Sequence, residues 1–234
     1  KNSFLFKTNS DLQTLRAMAC MLEDAIAGSA SAKAAGTRLA YLWDASQTAG
    51  FARLCYFNPY GEGMQLSSLG EVITLQTDKQ APEMQSIIQK ALQGESLFSQ
   101  AFYDSNLGYN TIGYATPVYT NKEVTGVLAC SVSTESYEDI LSSISSVSDA
   151  GAVAILSSDG TILASTRTHQ AQGFYQLTES DYLDAELCSK FMQALSADEP
   201  QFFKFDFNGI SAYACIMPMD ICSDKIVIVD TDKG

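Results

Sequence analysis

The stretch Gly108–Ser133, GYNTIGYATPVYTNKEVTGVLACSVS, constrains the fold of this chain more than any other. Two runs rich in β-branched, aromatic and small residues flank the polar segment Thr120-Asn121-Lys122-Glu123. Strand-favouring arms around turn chemistry predict a β-hairpin. Pro117 falls late in the first arm, where a missing N–H is tolerated at an edge or a bulge. Side chains alternate across a strand, so Asn110, Ile112, Tyr114, Thr116 and Val118 share one face, and Thr111, Gly113, Ala115 and Tyr119 the other. The first face is bulky and partly polar, which suits either a pocket wall or a half-buried strand. The second is mostly small.

A weaker echo returns near the C-terminus, where Ile210-Ser211-Ala212-Tyr213-Ala214 parallels Ile112-Gly113-Tyr114-Ala115. Each is followed by a polar turn and an apolar strand, Val124–Val132 and Lys225–Val229. Two related units about a hundred residues apart are predicted, not a solenoid of short repeats.

The elements between them fall into a repeated order. Leu12, Leu15, Met18, Ala19 and Leu22 recur at helical spacing, with Ser10 or Asp11 as a candidate cap. Ser31–Ser46 reads as a second helix. Phe51–Phe57 reads as a strand and Asn58–Gly63 as a turn. Gln65–Gln80 carries no clear period. Pro82–Gln93 is a helix with Pro82 near its start and Gly94 as its stop. Leu97–Tyr103 and the hairpin follow. Glu135–Val147 reads as a connecting helix. The pattern then restarts: Ala152–Leu156, the turn Ser157-Ser158-Asp159-Gly160, Thr161–Ser165, a helix near Ala185–Leu195, and strands at Gln201–Phe207, Ile210–Met217 and Lys225–Asp230.

Composition excludes several functions. A formal net charge of −13 leaves no basic face for nucleic acid and none for an anionic membrane surface. Six cysteines without a CxxC pair, and a single histidine, His169, argue against a zinc site, so no metal or cofactor is expected. No run of about 18 apolar residues crosses a membrane. Nucleophile-elbow, P-loop, zincin and dinucleotide fingerprints are absent, so no catalytic residues are assigned. The chain opens on Lys1 with no signal peptide, which suggests a segment of a longer protein.

Strand, (N/D)xG turn, strand, helix and three-stranded meander is a PAS-like order, and here it occurs twice behind a long helix. With AILSSDGTILAS at 154–165, ALQGES at 91–96 and ATPVYTNKEVTGVLACSVS at 115–133, the chain resembles the double Cache sensor domains of bacterial transmembrane receptors. The resemblance implies an α+β fold: N-terminal helices over residues 1–50, a membrane-distal PAS-like unit at 51–134, a connecting helix at 135–150 and a membrane-proximal unit at 151–234. It further implies an extracytoplasmic domain between transmembrane helices, homodimeric in the full receptor, that binds a small molecule and drives a cytoplasmic output. A diguanylate cyclase is the expected output, with a histidine kinase or chemoreceptor as alternatives. The competing class is a protein-interaction ectodomain with no small-molecule ligand; a hydrolase with an unrecognised site stands behind both.

Members of the family that sense amino acids carry Arg-x-Trp-Tyr, then Tyr-x-Asp, then a later Asp. In this chain Tyr-x-Asp falls on Phe102, Tyr103 and Asp104, and the later Asp falls on Ser131. No Arg-x-Trp-Tyr occurs in Ser67–Gln93, so a standard amino-acid ligand is not implied. The candidate ligand residues are Tyr103, Asp104, Tyr109, Tyr114, Thr116 and Ser131. They are placed between the 97–133 sheet and Gln65–Gln80, because the corresponding proximal set, Tyr213, Cys215 and Met217, is greasier. Asp104 reads alternatively as a solvated turn carboxylate, and Arg53 as an anion binder or half of a surface ion pair. If the six residues hold a ligand, Asp104→Ala and Tyr114→Phe weaken it without much effect on the melting temperature of the free protein.

Overall fold

The computed structural model describes residues 2–26, 32–66, 71–137, 141, 151–166, 176–179, 183–207, 209–219 and 224–231. The chain divides into two compact units, Asn2–Ser133 and the remainder from Thr134.

In the first unit, α1 (Asn2–Ile26) and α2 (Ala32–Thr48) precede β1 (Phe51–Phe57), β2 (Glu62–Leu66) and β3 (Val72–Gln76). Then come α3 (Pro82–Leu92), β4 (Leu97–Asp104), β5 (Tyr109–Thr120) and β6 (Glu123–Ser133). The six strands form an antiparallel sheet in the order β3-β2-β1-β6-β5-β4. The hairpin closes at Asn121 and Lys122, both with positive φ (53° and 71°), as a two-residue turn matched to strand twist requires. The segment without a clear period holds the end of β2, all of β3 and a 3-10 turn at Thr77–Lys79. β3 is a largely exposed edge strand, so it has no buried face to leave a hydrophobic alternation in the sequence.

Helices cover both faces of this sheet. The α1 stripe Leu12, Leu15, Met18, Ala19 and Leu22 is buried, and α1 packs on β5 and β6. The helix starts at Asn2, not at the expected cap, and Asp11 lies buried within it. On the other face α3 buries Met84, Ile87, Ile88 and Ala91 against Cys55, Phe57, Phe102, Ala115, Val127 and Ala129. Gly113 permits this approach: a Cβ there would collide with the Met84 sulfur.

The second unit comprises a 3-10 turn at Thr134–Tyr137, β7 (Ala152–Leu156), β8 (Ile162–Ser165), α4 (Ala185–Leu195), β9 (Gln201–Phe207), β10 (Ile210–Pro218) and β11 (Lys225–Thr231). The rest of the expected connecting helix lies outside the described residues, Leu141 apart. The sheet order is β8-β7-β11-β10-β9, and α4 buries Phe191, Ala194 and Leu195 against it. Asp184 caps α4, its Oδ1 accepting from the Leu187 N–H at 2.7 Å.

The β7–β8 turn is organised by Asp159, which accepts from the Thr161 N–H (3.0 Å), the Thr161 hydroxyl (2.8 Å) and the Ser157 hydroxyl. Burial alone would raise this carboxyl, but the bonds from Ser157 and Thr161 outweigh it and hold Asp159 below the usual carboxylate range. A depressed folded value stabilises above the unfolded carboxyl's titration near about 3.9 and loses that contribution as pH falls through the folded one. Asp159→Asn is therefore expected to melt earlier than the parent at neutral pH, with the gap between the two melting temperatures shrinking as the pH falls below the usual carboxylate range. A gap that stays constant with pH would contradict this assignment.

Candidate functional site

Directly opposed residues in an antiparallel sheet share a face. Arg53 opposes Ser131, and Ser131 opposes Gly113. Because Gly113 meets Met84, that row lies on the α3 face. Asp104 opposes Tyr109, two residues along β5 from Thr111, so Asp104, Tyr109 and Thr111 belong to the same face. Tyr103 opposes Asn110, Tyr114 opposes Cys130, and Thr116 opposes Leu128, all on the face that α1 covers. The six residues expected to converge are thus divided, three to each face. The bulky side of β5, read as a pocket wall, lies beneath α1. The small side carries the polar constellation.

Tyr114 is fully buried, its ring 5.8 Å from that of Phe98 and its hydroxyl 3.5 Å from Asp11 Oδ2 on α1. Thr116 is buried and its hydroxyl lies 2.8 Å from that of Ser96. Tyr103 is 50% exposed. None of these three side chains stands beside Asp104.

On the α3 face Arg53 and Asp104 form an ion pair at 2.9 Å, with side-chain exposures of 6% and 3%. Strands β6 and β5 lie between β1 and β4, so the arginine arches over two strands to reach its partner. Arg53 Nε also donates to Gln65 Oε1 (2.9 Å) and Nη2 to Gln80 Oε1 (3.1 Å). Asp104 Oδ1 accepts from the Asn106 N–H at 2.9 Å. The surface ion pair and the solvated turn carboxylate are both corrected: the two groups are buried and joined to each other. Burial opposes the guanidinium's charge, but the Asp104 carboxylate offsets it, so Arg53 remains a cation. Burial pushes the neighbouring Cys55 thiol up despite the arginine, which keeps it protonated at neutral pH.

Beneath the arch, the Ser131 and Thr111 hydroxyls are buried without a hydrogen-bond partner among the described residues. A native interior leaves few such groups, and each calls for an explanation. Gln65, Gln80 and Thr111 were missing from the sequence-derived set. Arg53 carried a signal: in Phe51-Ala52-Arg53-Leu54-Cys55-Tyr56-Phe57 it shares a side with Cys55 and Phe57, apolar positions that a solvated arginine would not join. Among the described residues no cluster of His, Cys, Asp and Glu is suited to a metal, and no helix is long and apolar enough to cross a membrane. Of the five described cysteines, all free thiols, Cys55 and Cys130 are buried, Cys188 and Cys215 half-buried and Cys20 exposed.

No protein-family model and no curated protein matches the chain. Solved structures do. Methyl-accepting chemotaxis protein X aligns with a TM-score of 0.67 at 18% identity, over 98% of this chain and 92% of its own. The extracellular domain of mmHK1S-Z2, described as a histidine kinase, gives 0.66 at 15% identity over 98% and 92%. The ligand-binding domain of the Pseudomonas fluorescens chemoreceptor CtaA, in complex with L-isoleucine, gives 0.59 at 16% identity over 99% and 87%. The chain has the tandem PAS-like sensor fold. In this fold each unit contributes its own antiparallel sheet, of six strands in the first and five in the second. At such identities the likeness carries the architecture, and the site must be argued from its own residues.

Proposed function

We propose that the chain is the extracytoplasmic sensor domain of a membrane signal-transduction receptor, binding a small molecule on the α3 face of its first unit. Transmembrane helices would flank it, and the receptor would be a homodimer. The observation that carries this reading is the buried Arg53–Asp104 pair lying over two hydroxyls without a partner among the described residues, on a sheet of sensor fold. Burying a guanidinium, a carboxylate and two unsatisfied hydroxyls gains little as a purely structural device, since apolar residues of similar size do as well or better. As a place for a ligand's polar group, the same set has a use. The proximal unit is read as relaying the signal, and the cytoplasmic output as a diguanylate cyclase. The histidine kinase and chemoreceptor domains among the structural neighbours support the alternative outputs.

The test is a thermal-shift screen of this chain against a broad metabolite library, confirmed by calorimetry. A one-site ligand present at 100 times its Kd adds about 2.7 kcal/mol of stability, a shift easily read. Silence across neutral, anionic and cationic metabolites would favour the protein-interaction ectodomain.

A further inference from the structure

We infer that the first unit takes a ligand through a carboxylate, received by Arg53 together with the Ser131 and Thr111 hydroxyls, and not through an ammonium received by Asp104. This rests on the sensor reading above and adds the ligand class and the gripping residues. Both oxygens of Asp104 are already engaged, Oδ2 by Arg53 at 2.9 Å and Oδ1 by the Asn106 N–H at 2.9 Å. The aspartate is thereby an internal counterion.

Unspent capacity at the site is on the donor side. A guanidinium presents five N–H groups, of which Gln65, Asp104 and Gln80 take three. No oxygen or nitrogen of a described residue accepts the remaining two N–H groups, which face only the Cys55 thiol, a weak acceptor that a carboxylate oxygen outcompetes. Ser131, directly opposite Arg53, and Thr111, diagonal to Ser131 on β5, add two O–H groups buried without partners among the described residues. Two donors that cannot accept, and two hydroxyls free to donate, are completed by an acceptor-rich group. A carboxylate offers two oxygens with about four lone-pair positions in the plane the arginine fork presents. Gln65 at Nε and Gln80 at Nη2 hold the guanidinium in place, so it needs little reorganisation to bind.

The experiment titrates this chain by calorimetry and thermal shift with acetate, propionate, butyrate, lactate and pyruvate, against L-valine and L-isoleucine as zwitterions. At least one carboxylate without an ammonium is expected to bind. Ser131→Ala and Thr111→Val remove unsatisfied hydroxyls and should leave the free protein's melting temperature within about two degrees, yet each should weaken that carboxylate roughly tenfold. Arg53→Lys keeps a cation beside Asp104 but loses the fork, and should weaken it at least as much. Unchanged affinity in all three variants overturns the placement, as would be found if the hydroxyls merely hold a buried water. Binding of L-valine or L-isoleucine with no response to any carboxylate overturns the ligand class and leaves the sensor reading standing. No response to any of the seven compounds also overturns this inference. The sensor reading falls separately, only if the broad library is silent as well.

Discussion

Asp104→Ala is expected to destabilise the first unit by about 3–5 kcal/mol, because it strands the Arg53 guanidinium in the interior without its counterion. That corresponds to a fall in melting temperature of roughly ten degrees. The sequence alone suggested that this substitution would spare the free protein, on the view that the carboxylate served a ligand and not the fold. At 3% exposure and 2.9 Å from an equally buried arginine, it is not. The double variant Arg53→Met, Asp104→Leu should recover most of the loss, since the penalty lies in the unpaired charge and not in the absence of the pair. Denaturant unfolding of the parent, Arg53→Met, Asp104→Leu and the double variant closes the cycle and isolates the coupling. A loss below about 0.5 kcal/mol for Asp104→Ala would mean that the pair is exposed in solution, and the site would have to be redrawn.

Tyr114→Ala should be comparably severe, about 3–5 kcal/mol, for a different reason. The ring is fully buried between the sheet and α1, against Phe98, and its removal leaves a cavity that a sheet pinned by register on both sides cannot close. Tyr114→Phe separates packing from polarity. It keeps the ring, loses the hydroxyl that points at Asp11, and should cost on the order of 1 kcal/mol. Tyr114 faces away from Arg53, so Tyr114→Phe should leave the affinity of any ligand held on the α3 face unchanged. A tenfold loss in that variant would place the ligand under α1 instead. The measurement is the same calorimetric titration, with the melting temperature of each variant as its control.

The local codes in the chain determined the elements and their order. Polar Thr120–Glu123 between two strand-forming arms dictates the hairpin, and Pro82 with Met84, Ile87, Ile88 and Ala91 dictates α3. The Ser157–Gly160 turn opens the second unit as a sharp reversal must. These signals act over two to a dozen residues, where period, φ preference and the missing proline N–H operate, so one sequence suffices to read them. Even the division of β5 into a bulky face and a small one was legible, because strand alternation is strict.

What alternation cannot decide is which face meets which helix, and that required the tertiary structure. Packing α1 on the bulky face set Tyr114 and Thr116 beneath that helix, while Arg53 and Asp104 meet on the small face that α3 covers. The ion pair that organises the site joins residues 51 apart in sequence, on strands separated by two others in the sheet. Nothing in the neighbourhood of either residue encodes the other. Their meeting depends on the strand order β1-β6-β5-β4 and on the registers of three antiparallel ladders, quantities fixed by the whole hydrophobic core closing at once and not by any segment on its own.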